Sequence, residues 1–226
     1  RAGETYSGKS TGTLSIAATH TQTRYVLPRA VQKFRELFPG VRIALQQSAP
    51  EHIAEWVLSG KADIGIATEG LSRFDGLVSF PCYEWHHVIV VPKGHALASL
   101  KTLELQHLAE YPLITYDLGF TGRSHIDDAF RRQGIEPDVV LTAMDSDVIQ
   151  QYVSLGLGVG IVASMAAEHL PEGLQAITAN HLFATNVTRV AVRRGAFLRE
   201  YAIDFIRELA PRLSLDELAE AVSWRK

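Results

Sequence analysis

Residues 19–23, T-H-T-Q-T, crowd four hydroxyl or amide side chains (Thr19, Thr21, Gln22 and Thr23) into five consecutive positions. They lie between the apolar run GTLSIAA and an amphipathic segment that starts at Leu27. Such groups donate hydrogen bonds without carrying charge, and two chemistries fit them. One is helix capping, in which a hydroxyl accepts from first-turn N–H groups that have no intrahelical partner. The other is recognition of a small anionic or zwitterionic ligand, which the same N–H groups and the positive end of the helix dipole favour. The segment alone leaves both open. A second junction of the same kind, G-F-T-G-R-S at residues 119–124, presents Thr121, Gly122, Arg123 and Ser124. There Ser124 and Asp127 have capping-box spacing, which assigns Ser124 to its own helix and leaves Thr121 the better ligand candidate. Thr68 ends a strand-like run, and open α/β sheets bind ligands at strand carboxyl ends.

No constellation for catalysis accompanies these groups. There is no G-x-S-x-G elbow and no P-loop. L-G-L-G-V-G at residues 155–160 follows a helix and enters a strand, the reverse of a dinucleotide-binding glycine motif, so it reads as a structural turn. The nine histidines include no H-E-x-x-H, so neither a metal site nor a cofactor is expected. His86 and His87, adjacent on an expected strand, point to opposite faces. Cys82, the single cysteine, excludes an intramolecular disulfide, lacks a neighbouring base and reads as an inert thiol in a reducing compartment.

The elements that must position these groups follow from periodicity. TLSIAAT alternates and reads as a strand; Leu27, Ala30, Val31, Phe34, Leu37 and Phe38 trace one helix face, stopped by Pro39 and Gly40. VRIALQQ is a strand, Pro50 opens a helix, and ADIGIAT is a strand ending at Thr68. The rhythm returns with YPLITYD, the helix HIDDAFRRQG, the strand PDVVLTAM, the helix DSDVIQQYVSLG and the strand LGVGIVAS. Two stretches echo one another: HIAEWVLSGKADIGIAT and VIQQYVSLGLGVGIVAS both run from an amphipathic helix into a glycine-centred apolar strand. In them Ile53 and Val57 match Ile149 and Val153 in helical phase. HHVIVVPKGHAL and VTRVAVRRG read as crossing strands, and AFLREYAIDFIRELA and SLDELAEAVSW as two closing helices, the first with Phe197, Tyr201, Phe205 and Ile206 on one face.

The expected fold is therefore α/β: two Rossmann-like lobes joined by two crossover strands, with a ligand cleft between them. Lobe I takes residues 12–90 and 192–226, and lobe II takes 91–191. Residues 1–11, polar and rich in Gly, Ser and Thr, read as a linker remnant, and the initial Arg as the mark of a fragment or processed chain. With 226 residues, 46% of them hydrophobic and 21% charged, the composition is that of an ordinary globular protein. A formal charge of −3 with no basic stripe argues against a nucleic-acid grip in these residues. No apolar run reaches the ~18–20 residues of a membrane span.

GTLSIAATHTQTRYVLP, ADIGIATEGL, PCYEW, YPLITYDLGFTGRS and DSDVIQQYVSLGLGVGIVASMA together resemble the effector-binding domain of LysR-type transcriptional regulators, in particular their CysB-type branch of sulfur-metabolism regulators. The likeness covers the chain from about Thr11. The [AG]-D-[IV]-[AG]-[IV] and G-x-G-[IV] patterns mark the wider family, whereas T-H-T-Q and G-F-T-G-R-S are specific to the branch. The resemblance implies a periplasmic-binding-protein-like fold of type 2. It also implies an effector such as N-acetylserine, O-acetylserine, sulfate or thiosulfate, held by Thr19, Thr21, Gln22, Thr68 and Thr121. Trp85 is the implied aromatic wall, and His20, Arg123 and Ser124 are weaker contacts. His86 and His87 stand where enteric members would carry a more polar Asn-Arg-like pair, a departure that bears on effector preference. The winged helix-turn-helix and linker helix of such regulators are not among these residues. The implied protein is cytoplasmic and a homodimer or homotetramer, and it meets DNA and RNA polymerase only through its full length. An exported solute-binding protein for a small oxyanion is the alternative, since it shares the two-lobed plan.

Overall fold

The computed structural model describes residues 10–224, and the side chain of Trp224 is not described. The linker expected over 1–11 thus lies outside the described residues except for Ser10 and Thr11. Two compact units are present: one takes the chain up to Tyr83 and again from Val187, the other Glu84–Asn186. The passages between units fall at 83/84 and 186/187, where the sequence placed them at 90/91 and 191/192. Strand pairing is the reason, as the elements below make plain.

The first unit opens with β1 (Gly12–Ala18), a six-residue helix α1 (His20–Tyr25), α2 (Leu27–Leu37), β2 (Val41–Gln47), α3 (Pro50–Leu58), β3 (Ile64–Ala67) and β4 (Leu77–Trp85). The second contains β5 (His87–Pro92), α4 (Leu105–Ala109), β6 (Leu113–Tyr116), α5 (Arg123–Arg132), β7 (Val139–Ala143), α6 (Ser146–Ser154), β8 (Val159–Ala163) and β9 (Leu174–Thr178). The chain then returns with β10 (Asn186–Arg193), β11 (Phe197–Leu198), α7 (Glu200–Leu209), α8 (Leu215–Ala221) and β12 (Ser223–Trp224). The sheets run β2-β1-β3-β10-β4 and β7-β6-β8-β5-β9. In each, three parallel strands of order 2-1-3 are joined by an antiparallel return strand, β10 against β3 and β5 against β8. Because β5 pairs with β8 and β9, and β10 with β3, residues 87–90 belong to the second sheet and 187–191 to the first.

Alternation along β1, β3 and β10 divides the first unit's core between the two faces of its sheet. Leu14, Ile16, Ala18, Ile64, Ile66, Val190 and Val192 pack with α2 and α7, where Phe34 meets Phe205 edge-on at 5.6 Å. On the opposite face β1, β3 and β10 offer small groups to α3: Ala17, Ala67 and Ala191 join Ile53, Ala54 and Val57. At its centre a Cβ on Gly65 would stand 2.9 Å from Cγ2 of both Ile53 and Val57. The second unit repeats the device. A Cβ on Gly160 would lie 2.8 Å from Val153 Cγ2 and 3.4 Å from Ile149 Cγ2, whereas Val159 and Ile161 face the core that holds Ile126 and Phe130. The echo read in the sequence is thus one packing solution used twice: a helix presses two branched side chains onto a strand glycine.

Three local expectations change. A separate short helix, α1, precedes the long one, so T-H-T-Q-T does not lead directly into α2. The last long helix starts only at Glu200, which leaves Phe197 in β11 with 57% of its surface exposed; Tyr201, Phe205 and Ile206 are buried as expected. Helix α5 begins at Arg123 with Gly122 as its cap, so Ser124 lies within the first turn rather than at the cap.

Branched Cγ2 atoms close to the helix backbone have little room to retreat, so Gly65→Ala and Gly160→Ala should each destabilise the chain by about 1–3 kcal/mol. Urea denaturation is the check, and Gly173→Ala is not a suitable control because of its positive φ of 88°.

Candidate functional site

In an open sheet, helices that leave neighbouring strands toward opposite faces uncover the carboxyl ends between them. In the first unit this point lies between β1 and β3, because α2 packs on one face and α3 on the other. Thr19 follows β1 and Thr68 follows β3, and the two ends are tied by Thr19 N–H donating to Ile66 O at 3.2 Å. Thr19, His20, Thr21, Gln22 and Thr68 are therefore brought to one place within this unit.

Capping does not account for their side chains. Thr19 occupies the N-cap of α1, yet its hydroxyl makes no capping hydrogen bond. Thr23 serves the helix instead, its Oγ1 donating to Thr19 O at 3.1 Å, and Arg24 lies over the Tyr25 ring. Thr21 and Gln22 have no exposed surface, and Thr21 Oγ1 and Gln22 Nε2 have no hydrogen-bond partner. Gln22 is anchored from its other side, where Tyr83 Oη donates to Oε1. Tyr83 in turn bonds Thr188, whose Oγ1 lies 3.5 Å from Thr68 Oγ1. Burial raises the Tyr83 phenol, against the hydrogen bond from Thr188, so it stays a neutral donor. Neither Tyr83 nor Thr188 carried a signal in the sequence; they reach Gln22 and Thr68 from positions 61 and 120 residues away. Beside them, burial above all pushes the Cys82 thiol up to about 12, which leaves it unreactive.

In the second unit the equivalent point lies between β6 and β8, and the turn after β6 carries Thr121. Thr121 is buried and, among the described residues, is the only non-glycine with positive φ, at 43°. A β-branched residue in that region costs on the order of 1–3 kcal/mol, a strain that surrounding contacts must sustain. One such contact is His87, whose Nε2 lies 2.9 Å from Thr121 O. Arg123 is committed to structure: Nε pairs with Asp127 at 2.8 Å, and Nη1 donates to Tyr116 O. Ser124 is exposed on the first turn of α5. Trp85 is buried, with its ring edge-on to His87 at 5.0 Å, so within this unit it supports the histidine beneath Thr121.

Residues 7–214 match the family model described as the LysR substrate binding domain. The chain is 51% identical over 220 residues to the HTH-type transcriptional regulator SsuR of Burkholderia cenocepacia, a match covering 97% of this chain and 71% of that protein. It is 48% identical over 225 residues to the HTH-type transcriptional regulator CysB of the same organism, covering 98% and 71%. The crystal structure of the cofactor-binding domain of the Cbl transcriptional regulator superposes with a TM-score of 0.92 at 46% identity, covering 94% of each chain.

The buried histidine has a consequence for stability. Desolvation, above all, lowers the His87 pKa to about 4, with lesser contributions from His125 and His86; the hydrogen bond to Thr121 opposes them. The unfolded chain binds this proton near pH 6.5, so the stability it contributes is complete above that value and is lost as pH falls toward 4, by about 3 kcal/mol. His87→Gln should flatten that part of the profile, measured as urea stability at pH 7, 6, 5 and 4.5.

Proposed function

The chain belongs to the LysR family of transcriptional regulators as a substrate-binding domain, and from that premise we propose that it senses a small anionic metabolite of sulfur assimilation. The candidates are N-acetylserine, O-acetylserine, sulfate and thiosulfate. The observation that carries this reading is the pair of buried, unpartnered groups in the first unit, Gln22 Nε2 and Thr21 Oγ1. A buried donor left unsatisfied costs about 1–3 kcal/mol, which a ligand oxygen recovers. Thr19 and Thr68 add uncharged donors in the same unit, and Thr121 offers one at the equivalent point of the second unit. The cation nearest to Thr121 in sequence, Arg123, is already engaged by Asp127 and Tyr116. Uncharged donors suit an anion or zwitterion that must be released as its concentration falls.

The names of the similar regulators, SsuR, CysB and Cbl, support sulfur and cysteine metabolism as the setting. They also favour a regulator over an exported solute-binding protein. In the regulator, which we place in the cytoplasm as a homodimer or homotetramer, the effector acts through its different affinities for two arrangements of the protein. That difference alters the hold of the full-length protein on DNA and its action on RNA polymerase. Trp85, His20 and Ser124 are assigned supporting rather than primary contacts.

Thermal-shift titration with the four candidate effectors tests the reading. A true effector at ~100-fold over its Kd adds about 2.7 kcal/mol of stability. No shift with any of the four refutes the assignment. Thr19→Val and Thr121→Val should each weaken binding by about 1–3 kcal/mol in isothermal titration calorimetry. Unaltered affinity in both variants removes these hydroxyls from the site.

A further inference from the structure

The strained turn that carries Thr121 is held from beneath by a buried pair whose protonation follows from the hydrogen bonds alone. A backbone carbonyl can only accept, so the 2.9 Å contact between His87 Nε2 and Thr121 O puts the ring proton on Nε2. Nδ1 is then an acceptor, and the group facing it at 3.3 Å is Asn186 Nδ2, which donates. The amide orientation of Asn186 is thereby set, with Oδ1 on the side of Gly122. A Cβ at Gly122 would lie 2.1 Å from that oxygen and 2.8 Å from His87 Cε1. Asn186 and His87 have no exposed surface, and Oδ1 has no hydrogen-bond partner. The imidazole has little freedom of its own, because Trp85 and Phe183 meet it edge-on at 5.0 and 5.7 Å and Tyr116 lies at 6.4 Å.

Thr121 and Gly122 take consecutive left-handed conformations, φ 43° and 73°, and Arg123 N–H closes the turn on Phe120 O at 2.9 Å. A glycine at 122 meets both demands, positive φ and an absent Cβ. Thr121, buried and β-branched, goes against the conformational preference of its residue type. Besides the Arg123–Phe120 closure, the bond from His87 to its carbonyl bears directly on it.

We propose that His87 and Asn186 are positioning residues for the effector site: as a buried imidazole–amide relay they hold the Thr121–Gly122 turn in its left-handed form and so set where the Thr121 hydroxyl stands. The role in binding rests on the reading that Thr121 contacts the effector; the relay itself does not. His87 touches the turn through a carbonyl and Asn186 acts one bond further away. Their contribution is to the geometry of the site rather than to contact with the ligand. The pair also accounts for the G-F-T-G order of the motif, in which the second glycine accommodates the relay and the threonine is presented by it.

Three measurements on the whole chain test this. Ring ¹⁵N shifts in the unliganded protein should report a neutral His87 with its proton on Nε2; a proton on Nδ1 overturns the relay. Thr121 at positive φ should show a strong intraresidue NOE between its amide and α protons. His87→Gln, which keeps a donor near the Nε2 position, should retain that NOE and bind sulfate and N-acetylserine within about threefold of the parent. His87→Leu and Asn186→Ala should lose the NOE and weaken binding of the same probes by roughly tenfold or more, with circular dichroism showing that each is folded. Retention of the NOE in both variants overturns the proposal, and if one fails to fold, the other and the tautomer decide. Loss of the NOE with unchanged affinity removes Thr121 from the binding site, and the positioning role with it, while leaving the relay intact. A parent protein that binds neither sulfate nor N-acetylserine but shows the tautomer and the NOE counts against the effector reading and not against the relay.

Discussion

The parallel strand order 2-1-3 is the constraint on which the rest depends. A parallel strand must hand the chain to a crossing helix, and the helices after the first and second strands have to leave on opposite faces. The carboxyl ends of the two inner strands are then left without a covering helix. In the first unit this leaves Thr19 and Thr68 side by side; in the second it leaves the turn that carries Thr121. Close docking of the helices on one face of each sheet depends on small residues in the strand, with Gly65 beneath Ile53 and Val57 and Gly160 beneath Val153. The glycine-rich stretch that superficially matches a nucleotide motif ends in the second of these docking points.

The polar groups at these uncovered ends are kept neutral. Burial holds the Tyr83 phenol protonated and the His87 imidazole unprotonated, and the Arg123 guanidinium is neutralised by Asp127. In the proposed reading, charge recognition is thereby left to hydroxyls, amides and backbone dipoles, which attract an anion more weakly than a guanidinium would. For a sensing domain this matters, because the occupied fraction has to follow a changing concentration. Directionality comes from the groups behind: Tyr83 orients the Gln22 amide, and His87 orients the Thr121 carbonyl.

Most elements were legible in the sequence because their hydrophobic period is strong. The strands 12–18, 41–47 and 159–163 and the helices 27–37, 50–58 and 146–154 lie within a residue or two of where alternation and helical spacing put them. The failures are local and physical. Ser124 has capping-box spacing to Asp127, but the left-handed Gly122 caps the helix two residues earlier. Phe197 continues the helical phase of α7, yet it is drawn into pairing with Ser223. The boundary between units was displaced because an apolar strand such as HVIVVP reads the same whichever sheet receives it; only its pairing with β8 and β9 assigns it.

The sequence by itself determined the α/β alternation, the placement of hydroxyl-rich segments at strand ends and the family to which the chain belongs, since all three are carried by residues close together along the chain. Tertiary structure alone decided which of those hydroxyls are engaged and by what. Tyr83 finds Gln22 across 61 positions, Thr188 finds Thr68 across 120, and Asn186 finds His87 across 99. Neither the tautomer of His87 nor the positive φ of Thr121 has a local signature. Each arises where a buried polar group must find a partner, and in a folded sheet that partner is a neighbour in space rather than in sequence.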